Sequence, residues 1–178
     1  MVAAASTEGG DADSKPSQND VPVLRRAAMD YLARREHSEF ELLQKLSKRF
    51  SEADAEVLRG VIGTLAGENL QSDDRFAENY SRYRKTRGFG YLHIKADLIS
   101  RHVSESVIDK YLHPDDSAWS EILNNHVCKR AGDKQTLLFG SKPHKKLVRF
   151  LESRGFASID IRRALEKRLS FPLSHSDS

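Results

Sequence analysis

Tyr31-Leu32-Ala33-Arg34-Arg35-Glu36-His37-Ser38 is the first of three stretches that share one helical pattern. It leads to Leu42 and Leu46. Tyr83-Arg84-Lys85-Thr86-Arg87-Gly88-Phe89-Gly90 leads in the same way to Ile94 and Leu98. Phe150-Leu151-Glu152-Ser153-Arg154-Gly155-Phe156-Ala157 leads to Ile161 and Leu165. Each line opens on an aromatic, and an arginine (Arg35, Arg87, Arg154) follows four places later. A small residue then starts the next helix, and branched aliphatics come at matching offsets. One small helical unit cannot bury its apolar face alone, whereas stacked units can. The pattern therefore predicts an all-α fold of tandem three-helix motifs in an elongated, curved array.

Working outward, the first helix spans about Val21 to Arg35, with Leu24, Ala27, Ala28, Tyr31 and Leu32 at the spacing of one buried stripe. Ser38 with Glu41 reads as a capping box for the second helix. Ser51 with Asp54 opens the third, which buries Leu58, Val61, Ile62 and Leu65 and ends at Gly67. Ser72 or Asp73 caps the fourth, with Phe76, Ala77, Tyr80 and Tyr83 inward. The fifth buries Tyr91, Ile94 and Leu98, and Ser104 caps the sixth, which Pro114 stops. A seventh helix opens near Asp116 or Ser117 and carries Trp119, Ile122, Leu123, His126 and Val127. Residues 132–143 read as a loop, with Leu137, Leu138 and Phe139 pinned to the core. The eighth helix spans about His144 to Ser153, and Ser158 opens the ninth. No alternating stretch stands out as a strand.

These elements give three repeats, 21–70, 71–113 and a less regular 114–170 cut short after its second helix. They lie between an acidic N-terminal tail (1–20) and a frayed C-terminal tail (171–178). The first tail has almost no large apolar side chains, so burial cannot offset its ordering entropy.

Of the formal net charge of +3, residues 1–20 contribute −3, which leaves +6 on the body. A basic body points to an acidic partner, nucleic acid or an acidic protein surface, unless it is only a solvated helical face. Cys128 is the single cysteine, so no intrachain disulfide or cysteine zinc site can form, and it reads as a small core residue. No apolar run approaches the roughly 20 residues of a membrane span. The N-terminus lacks the pattern of a secretory signal, so a cytoplasmic protein is expected.

No catalytic constellation emerges. Gly88-Phe89-Gly90 lacks the preceding strand and third glycine of a dinucleotide fingerprint. His37-Ser38-Glu39 has H-x-E spacing without the P-C-x-x-C of a deaminase. There is no H-E-x-x-H and no nucleophile elbow. The chain does not read as an enzyme, and no cofactor or metal is implied.

Basic clusters remain. Arg82, Arg84, Lys85 and Arg87 crowd the end of the fourth helix. Arg34 and Arg35 hold the corresponding point of the first repeat. Lys142, Lys145, Lys146 and Arg149, then Arg154, hold it in the third, and Arg162, Arg163, Lys167 and Arg168 lie on the last helix. Helix macrodipoles account for one or two cations per C-terminus, not for four in six residues repeated along the chain. Aligned units would set these cations along one side, as a polyanion or acidic filament requires. Tyr83 and Phe89 offer rings for base stacking, but their repeat-wide equivalents favour core packing.

Three segments together resemble the RecX family of regulatory proteins. They are Tyr31–Ser38 with Glu41-Leu42 and Lys45-Leu46; Ser72-Asp73-Asp74-Arg75-Phe76-Ala77-Glu78 with Arg87-Gly88-Phe89-Gly90; and Phe150-Leu151 with Arg154-Gly155-Phe156 and Ile161. The resemblance covers roughly residues 22–169, and 132–143 departs from it. It implies a regulator of the RecA recombinase that binds the RecA–single-stranded-DNA filament along its groove and bridges neighbouring subunits. Such a regulator suppresses ATP hydrolysis, strand exchange and co-protease activity, limiting recombination and the SOS response. Carried over by motif, the implied contact residues are Arg34, Arg35, Arg75, Arg84, Arg87 and Arg154. The basic clusters add Arg82, Lys85, Lys145, Lys146, Arg149, Arg162 and Arg163. Arg75 has a second reading, as a partner of nearby carboxylates. The expected partners are the RecA filament and single-stranded DNA, with double-stranded DNA as a further candidate, and the protein is expected to act as a monomer. The alternative is a helical DNA-binding module that needs no recombinase and uses one recognition helix.

Overall fold

The computed structural model describes residues 19–131 and 136–170. The readings for residues 1–18, 132–135 and 171–178 lie outside the described residues.

Three helices make the first unit: α1 (Val21–Leu32), α2 (Glu39–Arg49) and α3 (Ala55–Gly67). Pro22 sits in the first turn of α1, where its missing N–H costs nothing. Ser38 Oγ accepts the Glu41 N–H at 3.1 Å and starts α2. The return half of a capping box does not form, because arginines hold the Glu41 carboxylate. Asp54 caps α3 by accepting the Glu56 N–H at 2.8 Å. The core is Leu24, Ala27 and Ala28 against Leu42 and Leu46, closed by Leu58, Val61, Ile62 and Leu65.

The second unit repeats this with α4 (Asp73–Thr86), α5 (Tyr91–Ser100) and α6 (Glu105–Tyr111). Ser72 Oγ accepts the Arg75 N–H at 3.3 Å. Phe76, Ala77, Ile94, Leu98, Val103, Ile108 and Leu112 form its core, together with Trp119 from the next helix.

That helix is α7 (Ala118–Ala131), followed by β1 (Leu137–Leu138), α8 (Lys142–Ser153), α9 (Ser158–Leu165), a 3-10 turn (Glu166–Arg168) and β2 (Leu169–Ser170). Trp119 packs in the second core, while Leu123, Val127 and Ala131 pack in the third with Leu147, Leu151, Phe156, Ile161 and Leu165. Ile122 touches both. One helix thus ties two units together. In the third unit α8 and α9 match the first two helices of the repeat. The upstream α7 packs on both and closes the core that a third helix closes elsewhere.

Several expectations need correction. The first helix ends at Leu32, so Arg34 and Arg35 lie in a turn rather than on a helix. The eighth begins at Lys142, where Ser141 Oγ accepts the His144 N–H. Two short strands exist: β1 pairs in parallel with β2, Leu137 opposite Leu169. Two-residue strands have no readable alternation, and their partners are too far apart in sequence to signal each other. Only Leu137 of the three expected anchors is buried, whereas Leu138 and Phe139 are exposed. Tyr83 is also exposed, because α4 buries only one edge of its aromatic stripe.

Helices α4 and α8 end alike. Gly88 and Gly155 take φ of +78° and +85°. Phe89 N–H reaches the Arg84 carbonyl at 3.1 Å, and Phe156 N–H reaches the Leu151 carbonyl at 3.2 Å. This is a Schellman closure, which asks for glycine at the left-handed position. It turns the chain sharply and fixes where the neighbouring arginines point.

Candidate functional site

The junction of the first and second units is a polar network. Arg75 donates to Glu36 at 2.8 Å, to Asn69 Oδ1 at 2.7 Å and to the Leu70 carbonyl at 3.1 Å. Gln71, which is buried, donates to the His37 carbonyl at 3.2 Å and to Asp73 at 2.9 Å. Asp73 also accepts the Glu39 N–H, and Ser38 Oγ donates to the Arg101 carbonyl. Glu41 is held by Arg35 and Arg101, each at 2.8 Å. Phe40 stacks on His102 with centroids 3.9 Å apart. Of the two readings of Arg75, the pairing with a carboxylate is the one seen.

A second network runs inside the second unit. Arg84 is paired with Asp97, whose carboxylate also accepts the Tyr80 hydroxyl at 2.6 Å. Burial opposes charge on Asp97. The hydrogen bonds from Tyr80 and Arg84 outweigh it and hold the carboxyl below its ordinary value. The same burial and the Asp97 contact push the Tyr80 phenol up. Arg84 is therefore an internal anchor. Lys85 is engaged too: its ammonium meets Asp116 at 2.5 Å and lies 4.5 Å from the centre of the Trp119 ring. The hydrogen bond from Lys85 and the Ala118 N–H hold Asp116 below its usual value.

Arg154 joins the second unit to the third. Its guanidinium lies 4.6 Å from the Phe89 centroid and donates to the Arg87 carbonyl at 3.3 Å. Arg84 lies over the same ring at 4.3 Å, and His93 stacks on it. Phe89 is thus a hub for two of the expected arginines.

The remaining cations are outward. Arg34, Arg87, Lys145, Lys146, Arg149 and Arg162 are exposed, and their side chains make no hydrogen bond or ion pair among the described residues. Arg82 pairs with Glu78 one turn back and Arg163 with Asp160, both in exposed geometries. Such pairs contribute little and leave the charge available. Arg35 sits between the two classes, half-exposed and paired with Glu41. Arg87 and Lys129 line one groove between the second and third units, beside His126, which meets the Gly88 carbonyl at 2.8 Å. Lys45, Lys48 and Asn79 line grooves on the first two units, and none of them was among the contact residues expected from the sequence. Among the described residues no cluster of three or more His, Cys, Asp or Glu is arranged to hold a metal ion. Among the same residues, no helix is long and apolar enough to cross a membrane.

Residues 25–57 match the model of the first three-helix domain of RecX, and residues 72–112 that of the second. The regulatory protein RecX of Pseudomonas putida KT2440 is 36% identical over 151 residues, 84% of this chain and 94% of the relative. That of Mannheimia succiniciproducens is 37% identical over 135 residues, 75% and 86% of the two chains. The crystal structure of RecX from Lactobacillus salivarius shares the fold, with a TM-score of 0.67 over 84% of this chain and 96% of that one at 21% identity. The sequence motifs, the tandem three-helix units and these likenesses over most of the chain agree: the chain belongs to the RecX family of regulatory proteins.

Proposed function

We propose that this protein is a negative regulator of the RecA recombinase. It binds the RecA–single-stranded-DNA filament, in its groove, and suppresses ATP hydrolysis, strand exchange and co-protease activity. The observation that carries this reading is the coupling of three-helix units by hydrogen-bonded junctions while unpaired cations remain on successive units. Arg34 lies on the first, Arg87 on the second, and Lys145, Lys146, Arg149 and Arg162 on the third. A repeating acidic surface matches charges spaced in that way, and each contact adds to the next without a catalytic group. Arg82, Arg163 and Arg35 add to this surface. Arg75, Arg84, Lys85 and Arg154 serve it indirectly, by holding the units in register. The reading puts the protein in the cytoplasm, acting as a monomer.

The test is single-stranded-DNA-dependent ATP hydrolysis by the cognate recombinase, with this protein titrated below stoichiometry. A steep fall at low ratios is expected of a protein that acts on filaments. An unchanged rate at saturating protein would overturn the proposal.

A further inference from the structure

Helix α4 carries Phe76, Asn79, Tyr80 and Tyr83 along one face, at the spacing i, i+3, i+4, i+7. The inner edge is filled: Phe76 is buried and Tyr80 half-buried. The outer edge is not. Tyr83 is 57% exposed. Asn79 is exposed one turn back, and its amide makes no hydrogen bond among the described residues. Both line a groove of about 520 Å³ between the first and second units, with Arg35, Glu41 and Arg101 among its other walls. Arg35 and Glu41 also line a second groove of about 690 Å³, which carries Lys45 and Lys48, so the two adjoin and are taken together as one trough. The carboxylates in this trough are already answered, Glu36 by Arg75 and Glu41 by two arginines. Its cationic end therefore has charge to offer.

We infer that this trough is a binding site for a single strand of nucleic acid. One base stacks on Tyr83 with the Asn79 amide at its edge, and the neighbouring phosphates pass over Arg35 toward Lys45 and Lys48. A base presents a flat π-face and mixed donors and acceptors. A free ring and an amide that both donates and accepts answer those two features. The cations answer the backbone, which alternates with the bases along the strand. A base paired in a duplex cannot reach the ring, so the site selects single strands. The site needs no recombinase, and so goes beyond the filament reading while giving this protein its own hold on the strand.

The test is fluorescence anisotropy of labelled oligothymidylate with the full chain, in the absence of recombinase. Tyr83→Ala should weaken binding at least about fivefold, and Tyr83→Trp should restore it, as stacking requires. Lys45→Gln with Lys48→Gln should flatten the dependence of log affinity on log salt by about 1.4, two phosphate contacts at ~0.7 each. Thermal unfolding of Tyr83→Ala should match the wild type, since the ring is exposed. Labelled oligouridylate in a parallel arm identifies the sugar: loss on Tyr83→Ala in either arm bears the inference out, and loss in neither overturns it. If Tyr83→Ala binds both oligonucleotides normally but inhibits recombinase less, the groove docks protein and the inference fails. If Tyr83-dependent binding stands while recombinase is unaffected, the filament reading alone fails.

Discussion

Gly90 donates its N–H to the carbonyl of Arg154 at 2.7 Å, joining the start of α5 to the end of α8. Beside it, Leu92 N–H meets the Gly155 carbonyl at 3.1 Å. A Cβ on Gly90 would stand 2.5 Å from the Gly155 oxygen, and one on Gly155 would stand 2.3 Å from the His93 nitrogen. Both obstacles are backbone and cannot swing aside. Gly90→Ala should therefore cost about 1–3 kcal/mol, the usual range for forced overpacking. Gly155→Ala should cost more, because its φ of +85° adds roughly 1–2 kcal/mol of left-handed strain. Gly63→Ala in α3 meets nothing within 4 Å and should instead stabilise by about 0.5–1 kcal/mol. Urea unfolding of the three variants checks the order.

Arg75 and Arg82 look alike in sequence, seven residues apart near opposite ends of one helix. The first bridges two units through a carboxylate, an amide and a carbonyl. The second makes one exposed pair with Glu78. Arg75→Gln should cost about 1–2 kcal/mol, discounted because a third of the side chain meets water. Arg82→Gln should stay within about 0.5 kcal/mol. Equal midpoints in urea for the two variants would mean that Arg75 does not hold the junction.

Acid should loosen the molecule in two stages. His37 is 3% exposed, and burial, reinforced by the Arg35 charge, holds its imidazole below the ordinary 6.5. The unfolded chain takes up a proton there that the folded chain refuses. The stability from a neutral His37 is thus complete above 6.5 and is lost as the pH falls from there through the folded value. Asp97 and Asp116 are also held below their ordinary 3.8, so their share persists to lower pH and goes only below that value. His37→Asn keeps a donor for the Arg35 carbonyl, which the ring nitrogen Nδ1 meets at 3.0 Å. It should flatten the fall in melting temperature that sets in as the pH drops below 6.5, while leaving the fall below 3.8. An unchanged upper slope would assign that slope to another group.

The repeat was legible because helices, caps and stripes are local. Ser38, Asp54 and Ser72 cap helices within three residues of themselves, and Leu42 and Leu46 show their burial by spacing alone. Apart from the end of α1 and the start of α8, the failures are non-local. Tyr83 repeats the aromatic of the other units, yet its neighbours leave it open. The β1–β2 pair joins residues 32 positions apart. The largest loss was in the basic clusters, where local density could not separate anchors from free charge. Arg84 finds Asp97 thirteen residues on, and Lys85 finds Asp116 thirty-one residues on. Lys45 and Lys48 came into view only when the fold put them in a groove that shares Arg35 and Glu41 with the one beside Tyr83.

That distinction decides which charges to remove when testing the filament surface. Neutralising Arg84, Lys85 and Arg87 together would break two internal pairs, so lost binding would report damaged structure. Lys145, Lys146 and Arg149 on α8 have no ion-pair partner among the described residues, and all three are exposed. Changing them to Gln keeps helix propensity and should move the urea midpoint by less than about 0.5 kcal/mol equivalent. If α8 faces the acidic filament, the triple variant should require several-fold more protein for half-inhibition of ATP hydrolysis. Its binding should also depend less steeply on salt, since fewer counterions are exchanged. Arg84→Gln should behave in the opposite way, unfolding at lower urea with an unchanged salt slope. An α8 variant that inhibits like the wild type at every salt concentration would move the filament surface to Arg87 and the first unit.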